Sequence, residues 1–198
     1  NSLKGLRISV QGLGHVGTHL VDYLSKDGAE IYVTDIDQKR VDFIVNKYNC
    51  ISFASDKILD QEVEIYAPCA LGATVNKTSI PKLNCQIIAG AANNVLENPL
   101  KDSESLAKKG ILYAPDYVIN AGGLINVANE LEGYDMEKAF SQAEKIYDTS
   151  MAIFKRAKTE SISTNQAASL QAEDRIKKIS TLKSFYLPYK KTFKIRND

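Results

Sequence analysis

The chain has 198 residues, 44% hydrophobic and 25% charged, with a formal net charge of +1. That is the profile of a soluble globular protein with room for an ordinary domain and its core, and nothing global in it points to nucleic acid or a membrane. The charge is uneven: residues 136–198 hold thirteen Lys/Arg against seven Asp/Glu, a surplus expected to be a solvated helical face rather than a site for an anionic partner.

The first β-like run is Arg7–Val10. It leads into Gly12-x-Gly14-x-x-Gly17 and then a helical pattern whose stripe is Val16, Leu20, Tyr23 and Leu24. Strand, glycine triplet and helix in that order suit a dinucleotide. Gly12 permits the tight turn, Gly14 lets the backbone approach a pyrophosphate, and Gly17 lets the helix pack close to the sheet. The helix start adds free N–H groups and the positive dipole end, so His15 and Val16 are placed with the cofactor-binding residues. His15 touches a phosphate only if protonated; the plainer reading of it, and of His19, is a surface histidine. The competing reading of the triplet is a mononucleotide site or a structural turn.

Glu30–Thr34 is the second run and ends at Asp35, with Ile36 beside it. A carboxylate at that strand end accepts hydrogen bonds from the adenosine ribose hydroxyls and repels a 2′-phosphate, which favours NAD over NADP. Asp37 reads as the N-cap of a helix with the stripe Val41, Ile44, Val45 and Tyr48. Ile51–Phe53, Val63–Ala67, Gln86–Ala89 and Ile111–Ala114 complete six short apolar runs, and Leu100–Lys109 is a helix stopped by Gly110. Runs of this kind are fully buried parallel strands, so the expected fold is α/β: a Rossmann-like, doubly wound, mostly parallel sheet.

Three strand ends carry small residues and an amide or thiol: Ala67-Pro68-Cys69-Ala70, Ala91-Ala92-Asn93 and Asn120-Ala121-Gly122-Gly123. Together they outline a cleft for the nicotinamide half of a cofactor. Cys69 has no base nearby in the motif and reads as a packing residue, not a nucleophile. The glycine pair weakens a helix that Leu124, Val127, Ala128 and Leu131 otherwise favour, at about 1 kcal/mol per glycine. We read it as a place where a ligand comes close to the backbone.

From about Gly133 the pattern is helical only. Ala139, Ala143, Ile146, Ser150 and Ile153 keep one period, with Phe140, Tyr147 and Phe154 beside it, and a second helix runs from about Asn165 to Ile179. Residues 182–198, with Pro188, have no period and read as an extended tail. The division expected is residues 1–135 as the NAD-binding unit and 136–198 as a helical extension. Three cysteines (Cys50, Cys69, Cys85) fit neither a disulfide framework nor a zinc spacing, so a reducing, cytoplasmic setting and no metal are expected. No apolar run reaches the roughly 18 residues of a membrane span, and no signal peptide is visible. The start Asn1-Ser2, without methionine, reads as a fragment or a processed product.

The segments SLKGLRISVQGLGHVG, VTDID, YAPCALGATVN, IIAGAANNVL and GILYAPDYVINAGGLINVANE, in that order, resemble the Glu/Leu/Phe/Val dehydrogenase family, and within it the leucine dehydrogenases. The resemblance runs from Ser2 to about Ile176. It implies a modified Rossmann domain whose last helices return towards a second domain, and NAD-dependent, reversible oxidative deamination of an L-amino acid to a 2-oxo acid and ammonium. It places Gly12, Gly14 and Gly17 on the pyrophosphate, Asp35 on the adenosine ribose, and Cys69, Ala70, Ala92 and Asn93 around the nicotinamide. Asn120 would bind the nicotinamide amide or the substrate. Leu124 and Val127 match positions lining the substrate side-chain pocket, where an aliphatic pair suits a branched-chain amino acid and offers nothing to a second carboxylate.

Three positions depart from the family pattern: His15 for asparagine, Val63-Glu64 for Ala-Asp, and Leu124 for valine. The family's catalytic lysine (in Gly-Gly-x-Lys-x) and aspartate (in Thr-Ala-Glu-Asp) lie in an N-terminal domain, and neither motif occurs here. Deamination needs a cation to polarise the carbinolamine oxygen and a general base. Lys77 and Lys82 are expected to be surface lysines, so no catalytic residue is assigned. The resemblance implies a partner catalytic domain and a homo-oligomer for the full-length protein, with this chain inactive alone. The alternative reading is a free-standing NAD-responsive binding module without catalysis.

Overall fold

A computed structural model describes residues 2–131 and 133–183. Its first strand, β1 (Arg7–Gln11), lies mid-sheet and is covered on both sides at Ile8, Ser9 and Val10. β1 pairs in parallel with β2 (Glu30–Thr34), Val10 opposite Val33, and with β4 (Glu62–Pro68), Val10 opposite Ala67. β3 (Ile51–Ser52), β5 (Asn84–Ile88) and β6 (Leu112–Tyr113) extend the sheet to the order β3-β2-β1-β4-β5-β6, every pairing parallel. This is the doubly wound order expected of the α/β pattern. The edge strands β3 and β6 are only two residues long, shorter than their apolar runs.

The helix α1 (His15–Lys26) covers β1 and β2 with Gly17, Val21 and Leu24. The stripe read from the sequence is therefore rotated: Val16 and Tyr23 are 59% and 69% exposed. The cause is Gly17, where a Cβ would lie 2.0 Å from the Gly12 carbonyl oxygen. The helix must turn this bare position to the strand, which carries Val16 outward. α2 (Gln38–Tyr48) buries Val41 and Ile44 as expected, and its Asp37 cap accepts from the Lys39 N–H at 3.0 Å. These two helices and β1–β3 enclose one core; a second forms where Leu106 of α3 (Pro99–Lys108) meets Tyr66, Ile88 and Tyr113.

After β6 the chain forms the short α4 (Asp116–Ile119) and then α5 (Gly122–Leu131), which begins at the glycine pair rather than after it. α6 (Met136–Glu160) and α7 (Thr164–Lys183) pack together through Ile153, Ala157, Ala167 and Ala168. Thr164 ties α7 to β6, its hydroxyl donating to the Tyr113 carbonyl at 2.6 Å. Of the tail expected to be extended, Leu182 and Lys183 end α7; the rest, with Pro188, lies outside the described residues. Among the described residues no helix is long and apolar enough to cross a membrane.

The Glu64 departure proves to be a structural link between the two central strands. Its carboxylate accepts from the Arg7 backbone N–H at 2.7 Å and from the Arg7 guanidinium at 2.7 Å. Those bonds hold the Glu64 carboxyl at about 2, against a usual 4.5. A folded-state value below the unfolded one contributes stability that is present above pH 4.5 and is lost as pH falls towards 2. Melting curves between these pH values are expected to show a weaker fall for Glu64→Gln than for the parent; identical slopes would refute the link.

Candidate functional site

β1 and β4 are neighbours in the sheet but not in the chain, and at their carboxyl ends the winding reverses. Ligands of open α/β sheets bind in the crevice such a switch leaves. The chain turns out of β1 at Gly12, whose φ of +101° is left-handed and whose N–H donates to the Thr34 carbonyl at 2.8 Å. A Cβ there would also sit 2.8 Å from the Ala70 Cβ. Gly14 is different. It caps α1 with ordinary φ and no side-chain bond, and a Cβ there would meet nothing within 4 Å. Gly12 and Gly17 are demanded by the protein's own packing, whereas Gly14 keeps clear a space that no atom of the chain fills.

That space belongs to a cleft of about 410 Å³ lined by Gly12, Gly14, Asp35, Ile36, Cys69 and Ala70. Six of the residues read from the sequence therefore share one cavity. Asp35 is held at its rim by two backbone donors, the Leu13 N–H at 2.6 Å on Oδ2 and the Asp37 N–H at 2.8 Å on Oδ1. A carboxylate has about four acceptor sites, so each oxygen can still receive a hydroxyl. Ile36 projects into solvent at 98% exposure. His15 and Val16 are exposed on the first turn of α1 and do not line the cleft; Gly17 lies beneath the turn.

The cleft also holds polar residues that sequence reasoning missed: Gln11, Thr34, Arg40, Ser55 and Thr74. Gln11 accepts from the buried Tyr66 hydroxyl, whose pKa burial pushes up to about 12. Thr34 and Ser55 share a hydroxyl bond at 3.2 Å, and Arg40 Nε lies 3.3 Å from Asp37 Oδ2. The Thr74 hydroxyl is buried beside that of Tyr66. Gln11 and Thr34 carried a signal, as polar residues ending otherwise apolar buried strands. Arg40, Ser55 and Thr74 are brought in by loops and a helix face, and no local pattern marked them.

The other strand ends lock onto the first. The Cys69 N–H donates to the Gln11 carbonyl at 2.7 Å and the Ala92 N–H to the Pro68 carbonyl at 2.9 Å. Burial raises the Cys69 thiol, which disfavours a nucleophilic thiolate and fits the packing reading. Asn120 and Asn93 meet directly, Asn120 Nδ2 donating to Asn93 Oδ1 at 2.6 Å. Asp116 brings them together: its carboxylate accepts from the Val95 N–H and the Tyr117 N–H, both at 2.7 Å, fastening the loop after β5 to α4. Leu124 and Val127 stand outward on α5 at 74% and 54% exposure. At Gly122 and Gly123 an added Cβ would meet nothing within 4 Å, so the protein's packing does not call for either glycine. Lys77 and Lys82 are exposed, and among the described residues no three metal-binding side chains come together.

The family model for Glutamate/Leucine/Phenylalanine/Valine dehydrogenase matches residues 32–182. The chain is 50% identical over 182 residues to the L-tryptophan dehydrogenase of Nostoc punctiforme, covering 92% of this chain and 52% of that protein. It is 44% identical over 187 residues to the leucine dehydrogenase of Thermoactinomyces intermedius, covering 94% and 51%. The crystal structure of the Nostoc punctiforme enzyme superposes with a TM-score of 0.87 over 89% of this chain and 53% of that one. The chain thus spans about half the length of the curated relatives it matches. Matched over most of its length by the family model, and folded as a doubly wound parallel sheet, this chain belongs to the Glutamate/Leucine/Phenylalanine/Valine dehydrogenase family.

Proposed function

We propose that the chain is the NAD(H)-binding half of an amino-acid dehydrogenase that converts a branched-chain L-amino acid, NAD⁺ and water reversibly to the 2-oxo acid, ammonium, NADH and a proton. The observation that carries this reading is the single cleft joining an open Gly14, the glycine turn and the Asp35 carboxylate at the β1/β4 switch. The residues fit a dinucleotide. Gly14 is a cradle that a side chain would fill, and the Asp35 carboxylate keeps acceptor sites beside it. In this reading Gly12, Gly14 and the α1 N-terminus, with His15 and Val16, hold the pyrophosphate. Asp35 and Ile36 hold the adenosine ribose; Cys69, Ala70, Ala92 and Asn93 surround the nicotinamide, with Asn120 on its amide or on the substrate. The nicotinamide, when bound, accepts or supplies the hydride.

This chain's residues bind and orient; they move no proton. Asn120 keeps Oδ1 free while Nδ2 is engaged with Asn93, so it is set to accept from an amide or ammonium group. Leu124 and Val127 offer an apolar surface to the substrate side chain. The polarising cation and the general base come from a catalytic segment outside this chain, on which α6 and α7 pack, while residues 1–135 form the cofactor unit. A second substrate reading, an indole side chain, is favoured by the 50% identity to an L-tryptophan dehydrogenase. NADH fluorescence titration of the chain is expected to saturate; no saturation below about 1 mM would overturn the reading. Supplied with an N-terminal domain of the family, the chain is expected to form NADH faster with leucine than with tryptophan. The reverse order would establish the indole reading.

A further inference from the structure

A second, open cavity lies away from the dinucleotide cleft, between α4, α5, α6 and α7. Its volume is about 490 Å³, larger than the cleft itself. Val118, Ala121, Ile125 and Ile146 give it an aliphatic wall. Ile125 is one position and about 100° round the helix from Leu124, so this wall and the proposed substrate surface are different sides of α5. Lys145 of α6 and Arg175 of α7 reach the same cavity, and no acidic residue lines it.

Both cations are exposed on α6 and α7. Nearby Arg156 is paired with Glu160 at 2.9 Å and Asp174 at 2.8 Å. Neither Lys145 nor Arg175 makes an ion pair among the described residues. A third donor stands with them: Gln142 Oε1 accepts from Asn129 Nδ2 at 2.8 Å, and its NH₂ has no hydrogen-bond partner among the described residues. Three donors without an acceptor beside four aliphatic side chains match a ligand with one anionic end and one apolar end. Inorganic phosphate would satisfy the donors and waste the wall. An apolar amine would meet two like charges.

The geometry points to a second binding site here, for a small carboxylate with an aliphatic body. Its carboxylate sits against Lys145, Arg175 and Gln142, and its body against Ile125 and Ile146. Part of the basic surplus of residues 136–198 is then a ligand site rather than a solvated face. The inference stands independently of the dinucleotide reading.

The test uses 4-methylpentanoate as the probe, followed by calorimetry and by the methyl resonances of Ile125 and Ile146 in the whole chain. Saturable binding that shifts both methyls is expected. The uncharged 4-methylpentanamide, acetate and inorganic phosphate are each expected to bind at least about tenfold more weakly. The double variant Lys145→Gln/Arg175→Gln is expected to lose at least about tenfold in affinity while its melting temperature and NADH titration stay those of the parent. Absence of binding, equal binding by the double variant, or shifts confined to other methyls would overturn the site. Displacement by saturating NADH would do so too, by moving the probe to the dinucleotide cleft. A chain that fails to bind NADH yet binds the probe would sink the cofactor reading and leave this one standing.

Discussion

Gly17→Ala is expected to lower the melting temperature by about 6–12 °C and to abolish saturable NADH binding. The added Cβ would sit 2.0 Å from the Gly12 carbonyl oxygen, a backbone atom that cannot swing aside as a side chain can. Relief requires α1 to lift from β1, which opens the packing of Val21 and Leu24 in the core. Overpacking of this sort costs about 3 kcal/mol, and a domain of this size loses about 2–4 °C for each. Gly14→Ala is the matched control. Its Cβ meets open space, so only a weak capping loss is expected, within about 4 °C, while NADH affinity falls at least about tenfold. A Gly17→Ala protein that melts like the parent would refute the packing argument. Unchanged NADH binding by Gly14→Ala would mean that the open space at that glycine is not where the cofactor lies.

Asp35→Asn is expected to act twice. The carboxylate already holds the Leu13 and Asp37 N–H groups, and an amide turns one of those acceptors into a donor facing a donor. Losing a charged hydrogen bond of that kind costs about 1.5–3 kcal/mol, so the melting temperature falls. Because loop damage weakens NADH and NADPH alike, absolute affinity is a poor measure of the ribose role. The ratio of the two is the better one. Without the negative charge the preference for NADH over NADPH is expected to shrink at least about tenfold. Fluorescence titration with both cofactors, alongside a melting curve, separates the effects. A preserved ratio would remove Asp35 from cofactor choice and leave it a loop anchor.

The bonds of Asp35 show where local reading stops. Its position after a strand marked it as a ribose ligand. That its oxygens also anchor the glycine loop depends on Leu13 and Asp35 meeting across neighbouring strands. Asp116 is a stronger case, because nothing around it in the sequence marked it. It matters because α4 and the loop after β5 meet, bringing Asn93 to Asn120. Thr74, Ser55 and Arg40 reached the cleft by the same kind of long-range arrangement. The α1 stripe failed for a related reason: hydrophobic spacing selected Val16 and Tyr23, but steric contact at Gly17 sets the rotation of the helix.

By itself the sequence determined what depends on short-range order: six strands (though both residues of β3 prove exposed), the helices between them, the Asp37 cap and the glycine turn. Strand pattern and turn chemistry act within a few residues, so they can be read in a line. The meeting of Gly12 with Ala70, the placing of Asn120 at the end of α4 rather than of a strand, and the second cavity with Lys145 and Arg175 were decided only by the tertiary structure. Such contacts join residues tens of positions apart, and their energy depends on shape and separation, which no linear pattern records.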